Sequence, residues 1–229
     1  MEQGKGEEAT ALNRRENING AVQKEVMSAM LEGSEISDLR PSLSEVLAGF
    51  GWTVCRKEKK GPFGLFGRKV EIAADCDGAA FFCGKDGSVL SADLDACCVY
   101  YRNTSLFDRC ALHNGDNLTG EGDGDDETIL LRLDRLPQDV HRIILVMNLF
   151  KNADKSLTFK DLTEAFIRLT DARTGEELVR VDLPVWEIDA NVVVGGMLER
   201  TGRGWCFRNC RHQLLRSYSL EDMVAALCI

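Results

Sequence analysis

The 229-residue chain reads as mainly β: a two-sheet antiparallel β-sandwich with an N-terminal helical extension and a C-terminal helix. Two observations predict this. Beyond about residue 40 the apolar residues come in short runs, each closed by Gly, Asp, Asn or Pro, which is the spacing of an all-β chain. Between runs sit Asp86-Gly87, Thr174-Gly175 and Gly202-Arg203-Gly204. Such turns join antiparallel neighbours and not the crossovers of a parallel α/β sheet.

Residues 1–38 are expected to form a polar, helical extension and residues 39–229 the sandwich domain. In the extension Ala21, Val22, Val26, Ala29 and Met30 recur at helical spacing before Gly33 ends the pattern, predicting an amphipathic helix that docks on the domain or on a partner. The run from Leu43 to Cys55 has strand character. Lys57, Lys59 and Lys60 with Gly61, Pro62, Gly64 and Gly67 then mark an exposed loop. Further strands are expected in Val70–Ala74, Ala79–Cys83, Cys97–Tyr101, Thr128–Leu133 and Arg142–Leu149. Ala165–Leu169, Glu177–Leu183, Val192–Leu198 and Trp205–Phe207 continue the series. Ser219 and Asp222 are spaced as a capping box, and Leu220, Met223, Val224 and Leu227 place one apolar face of the closing helix against the sheets.

Hydrophobic residues at 44% and charged residues at 28% suit a globular domain and exclude wholesale disorder. The formal charge of −9 repels a phosphate backbone, so no nucleic acid is expected as partner. The first twenty residues carry Glu2, Glu7, Glu8 and Glu16 and lack an apolar signal core. No apolar run approaches the roughly 18 residues that span a bilayer, so no membrane span is expected. These features point to the cytoplasm, where the nine cysteines are read as reduced thiols. Cys206, Cys210 and His212 are zinc-type ligands at close spacing. On one strand they would spread over roughly 20 Å, too far for a single ion.

The segment His113–Glu127, HNGDNLTGEGDGDDE, is unlike the rest of the chain. Asp116, Glu121, Asp123, Asp125, Asp126 and Glu127 crowd six carboxylates into twelve residues, interleaved with Gly115, Gly120, Gly122 and Gly124. Two carboxylates about 5 Å apart repel by roughly 3 kcal/mol at an effective dielectric near 20, so a compact loop of this kind needs a counter-charge. Oxygen-only ligands in a forgiving geometry favour calcium over magnesium, which demands a strict octahedron, and over zinc, which wants imidazole or thiolate. The segment does not fit the EF-hand pattern D-x-[DN]-x-[DN]-G-x5-E. Asp75 and Asp77 before Gly78 offer a second pair of ligands, with Asp93, Asp95 and Asn103 as weaker candidates. The same carboxylates also admit an acid–base hydrolase reading. Against it, the three histidines, His113, His141 and His212, are isolated in sequence.

The string GDNLTGEGDGDDE at 115–127, followed by an apolar strand and Leu136-Pro137-Gln138-Asp139-Val140, resembles the signature loop of the TerD-type tellurium-resistance and stress-protein family. AFIRLTDARTGEELVRVDL at 165–183, DCDGAAFF at 75–82 and GFGW at 49–52 extend the likeness, which covers roughly residues 40–229. The resemblance implies a calcium-binding β-sandwich without established catalytic activity. By resemblance the metal residues are Asp75 and Asp77 from the first loop and Asp116, Asn117, Asp123, Asp125, Asp126 and Glu127 from the second. The chain departs from the family pattern at Thr53, where GLGWD-type members carry Asp, and at Arg102, where a paired YNN is usual. Arg102 near the cage would replace one calcium, so one or two ions are expected. The function this implies is a non-enzymatic, stress-linked interaction module with calcium and an unidentified protein as partners. The alternatives are a carboxylate-dependent hydrolase and a scaffold with a degenerate ion site, its thiols reacting with oxidants.

Overall fold

The computed structural model describes residues 34–53, 55–59, 68–72, 74–117, 124–150, 157–213 and 219–228. The expected N-terminal helix, the glycine-rich loop around Gly61, Glu121 and Asp123 lie outside them.

Along the chain the strands are β1 (Glu35–Asp38), β2 (Glu45–Trp52), β3 (Cys55–Lys59), β4 (Arg68–Ile72), β5 (Cys76–Cys83), β6 (Cys98–Val99) and β7 (Ser105–Leu106). They continue as β8 (Ala111–His113), β9 (Glu127–Arg132), β10 (Arg142–Leu149), β11 (Ala165–Asp171), β12 (Glu177–Asp182), β13 (Val192–Thr201) and β14 (Gly204–Gln213). Among the described residues two α-helices accompany them, α1 (Leu94–Cys97) and α2 (Leu220–Leu227).

Two six-stranded sheets result, ordered β1-β14-β13-β10-β5-β6 and β12-β11-β2-β9-β8-β7, and β3 pairs β4 in a separate ribbon. The named pairings in all three are antiparallel, as the turn chemistry predicts. Gly87, Gly175 and Gly204 hold positive φ in the three predicted turns, which costs a side-chain-bearing residue but not glycine. Strand β1 precedes the expected domain boundary at residue 39, yet its residues pair with Cys206–Asn209 of β14. The sheet therefore begins inside the segment assigned to the extension.

Between the sheets lie Phe50, Phe82, Ile129, Leu131, Ile143, Leu145, Ile167 and Phe207, all buried. A second cluster covers the outer face of the first sheet, where Phe81, Ile144, Val146 and Met197 meet Leu220, Met223, Val224 and Leu227 of α2. Burial on both faces explains why β10 carries the unbroken apolar run Ile143–Met147 where the burial of β9 alternates. The Ser219 hydroxyl accepts from the Asp222 N–H and the Asp222 carboxylate accepts from the Ser219 N–H, the predicted capping box.

The run expected as a strand at Cys97–Tyr101 is mostly not one. Asp93 caps α1, Tyr100 donates its hydroxyl to Asp95 at 2.7 Å, and Asn103 Nδ2 donates to the carbonyls of Asp95 and Cys98. Local side-chain bonds of this kind outcompete a ladder. They also use Asp93, Asp95 and Asn103 as architecture, away from the metal role entertained for them.

Candidate metal centre

One end of the sandwich gathers the start of β5, the start of β9 and the loop after β8. The alternation of β5 and its ladder with β10 fix Asp77 opposite Asn148, and the Phe150 N–H to Asp75 carbonyl bond carries the pairing on to Asp75. Asp75 and Asp77, two residues apart, thus share a face. Across from them the loop after β8 delivers Asp116.

Asp75, Asp77 and Asp116 each place a carboxylate oxygen within 4.8 Å of the other two. Asp77 is 2% exposed. Asp75 Oδ1 and Asp77 Oδ2 are buried and no protein donor reaches either. A buried acceptor without a donor costs about 1–3 kcal/mol, more when charged. Burial, and after it the charges of Glu127, Asp75 and Asp116, pushes the Asp77 carboxyl up to about 8. Asp75 is raised too, by burial first and then by Asp116 and Glu127. These oxygens fit a hard cation, which would discharge the repulsion and satisfy both orphaned atoms.

Glu127 organises the loops behind this cluster. Its Oε2 accepts from the Gly78 N–H at 2.7 Å and its Oε1 from the Asn117 N–H at 3.2 Å. His113 Nδ1 accepts from the Gly115 N–H, which places the imidazole proton on Nε2, facing Glu127 Oε2 at 3.3 Å. His113 and Glu127 are both buried.

The remaining predicted ligands anchor the loop. Asp126 accepts from the Trp52 N–H at 2.8 Å and from Asn117 Nδ2 at 3.1 Å. Burial raises its carboxyl, the Trp52 bond opposes the rise, and Glu127 and Asp125 add to it. Asp125 is gripped by Arg168 Nε at 2.7 Å and Nη2 at 3.1 Å. That carboxylate lies so close over β2 that a Cβ on Gly49 would stand 2.3 Å from it, which gives the GFGW stretch a reason for its first glycine.

Four of the eight predicted metal residues (Asn117, Asp125, Asp126 and Glu127) are therefore engaged by protein donors or act as one, and three (Asp75, Asp77 and Asp116) converge. Arg102 bonds Tyr101 and lines the cleft beside Asn148, while the acidic loop is gripped from β11. The cation there is Arg168 of the AFIRL stretch. Alternation in β11 gives no sign of it. Cys206, Cys210 and His212 lie along the single strand β14, the arrangement that argues against one shared zinc.

Fold and site together define a two-sheet β-sandwich with a carboxylate cluster held between loops at one end. The chain belongs to the TerD-domain family, whose match spans residues 27–216. It is 34% identical to the tellurium resistance protein TerD of Alcaligenes sp. over 173 residues, 76% of this chain and 82% of that protein. It is 28% identical to general stress protein 16U of Bacillus subtilis over 76% of this chain and 82% of that protein. A crystal structure of a TerD homologue from Streptomyces coelicolor superposes with a TM-score of 0.56 at 18% identity, over 76% of this chain and 91% of that one.

Proposed function

We propose that this TerD-domain protein binds calcium at Asp75, Asp77 and Asp116, and that it serves a stress-response or tellurite-resistance role as a cytoplasmic interaction module without catalytic activity. The observation that carries the reading is the convergence of three carboxylates with two buried, donorless oxygens. Beside them lies an open depression of about 560 Å³ lined by Asn114–Asn117 and Asp125–Thr128. Loading the ion would tie Asp116 to β5 and order this surface for a protein partner. Names of relatives supply the physiological setting, since tellurium resistance and general stress recur among them. Among the described residues no helix is long and apolar enough to cross a membrane.

Calorimetric titration of chelator-treated protein tests the site. Asp75→Asn and Asp77→Asn are each expected to weaken calcium at least about tenfold, because each removes one anionic ligand. Wild-type affinity in both variants would sink the assignment.

One observation favours a second reading. A carboxyl raised to about 8 beside two other carboxylates is the pairing an acid–base hydrolase uses. Turnover in a glycoside and phosphoester screen, lost in Asp77→Asn, would support it over the ion-binding role.

A further inference from the structure

Asn148 belongs to none of the motifs that define the site, yet it carries the same defect as the carboxylates. Among the described residues four buried side-chain oxygens lack a protein donor, and three of them are Asp75 Oδ1, Asp77 Oδ2 and Asn148 Oδ1. Those three are neighbours. Asn148 on β10 stands directly opposite Asp77 on β5, so the two side chains leave the sheet on the same face with Cβ atoms about 5 Å apart. Asp75 lies on that face as well, two residues before Asp77. Asn148 is 8% exposed, too buried for bulk water to satisfy its amide oxygen cheaply.

A buried asparagine at the penultimate position of β10, directly after the apolar run Ile143–Met147, is costly when its oxygen has no donor. Three buried oxygens with no donor, side by side on two paired strands, share one simple remedy: a common electron-pair acceptor. A proton-donating group satisfies one or two oxygens, whereas a cation serves all three. Calcium takes about six to eight oxygens and accepts neutral amide oxygens alongside carboxylates, so an uncharged ligand completes the set without adding repulsion.

We infer that Asn148 is a further ligand of the cation held by Asp75, Asp77 and Asp116, supplying its side-chain oxygen from β10. This rests on the calcium reading above. It gives β10 a part in the centre: the ion would bridge β5, β10 and the loop after β8, and would join the ladder to the acidic loop. Asn148 also lines a cleft of about 180 Å³ on the outer face with Tyr101, Phe150, Leu220 and the cationic Arg102, which offers the waters of a hydrated ion a route to solvent.

The test uses the full chain with Asn148→Leu, which removes the oxygen at nearly constant volume, and Asn148→Asp, which restores an oxygen with a charge. Each is titrated with calcium chloride after chelation and melted in chelator. A ligand role predicts about tenfold weaker calcium for Asn148→Leu, with a chelated melting temperature equal to or above wild type because a donorless oxygen is gone. Asn148→Asp is expected to bind calcium within a few fold of wild type or better, and to melt earlier in chelator from repulsion by Asp75 and Asp77. Wild-type affinity in Asn148→Leu overturns the inference while leaving the calcium site standing. So does a chelated Asn148→Leu that melts earlier together with an Asn148→Asp that fails to bind, which would make the residue a packing element. A wild-type protein that takes up no calcium overturns both readings at once.

Discussion

Asp77 carries the strongest electrostatic penalty of the site's carboxylates. Its folded pKa of about 8 lies above the ordinary 3.8 because burial and the neighbouring Glu127, Asp75 and Asp116 all oppose its charge. The folded state thus binds the extra proton between those values. The stability this proton confers is complete below about pH 4 and is lost as pH rises through about 8. Calcium-free protein is expected to melt at progressively lower temperature from pH 5 to pH 8.5. Saturating calcium should flatten that slope, and Asp77→Asn should remove most of it, the raised Asp75 and Asp126 leaving a remainder at the acid end; an unchanged slope in Asp77→Asn would assign the effect elsewhere. Thiol chemistry meets the opposite obstacle. Burial pushes Cys97 and Cys210 up to about 12, and the thiolate needed for attack on an oxidant is scarce at neutral pH. At this scale the sequence exposed the carboxylates, since acid–glycine alternation is visible in one dimension. It did not expose what surrounds them: Arg168 grips Asp125, and Asn148 stands opposite Asp77, only once the strands are paired.

The acidic loop behaves as an element with two halves. Asp116 belongs to the converging cluster, while Asp125 and Asp126 fasten the other half to β2 and β11 through Arg168, Trp52 and the backbone approach at Gly49. Removing the bidentate grip in Arg168→Ala leaves Asp125 unpaired and partly buried, at a cost of about 2 kcal/mol. Arg168→Lys should recover only part of that, since a single ammonium cannot fork across both oxygens. Urea midpoints of the two variants check this, and equal losses in both would argue that charge alone matters. The helix α2 is the other element whose role follows from its spacing. Met223 is fully buried on the outer sheet face, so Met223→Ala is expected to destabilise by about 3 kcal/mol, read by the same midpoint. A loss under 0.5 kcal/mol would detach the helix from the fold. Its capping box and apolar stripe were legible because helix signals are local. The short α1 and the turn at Phe107, Asp108 and Arg109, where three non-glycine residues adopt positive φ, were not. Strands β7 and β8 beside that turn are two and three residues long, too short to show alternation.

For the whole molecule, the two sheets serve chiefly to bring remote segments to one end. Residues 75–77, 116 and 148 are far apart in the chain and adjacent only because β5 lies between β6 and β10 while β9 lies between β2 and β8. The class of fold was legible from the turn spacing, and the sheet order was not, because alternation fixes which face a residue takes but not which strand stands beside it. The family likeness implies the two-sheet sandwich without a strand order. It also implies eight metal residues, of which Asp75, Asp77 and Asp116 converge among the described residues.

The proposed calcium dependence of stability ties these scales together. An ion at about 100 times its dissociation constant stabilises the folded state by about 2.7 kcal/mol, enough to raise the melting temperature of a chain this size by several degrees. The decisive measurement is the thermal melt of chelator-treated protein at pH 7.5 with and without saturating calcium, magnesium serving as control. The predicted result is a calcium-selective rise of several degrees that disappears in Asp77→Asn. Melting curves that coincide in chelator, calcium and magnesium would contradict a cation centre at Asp75, Asp77 and Asp116.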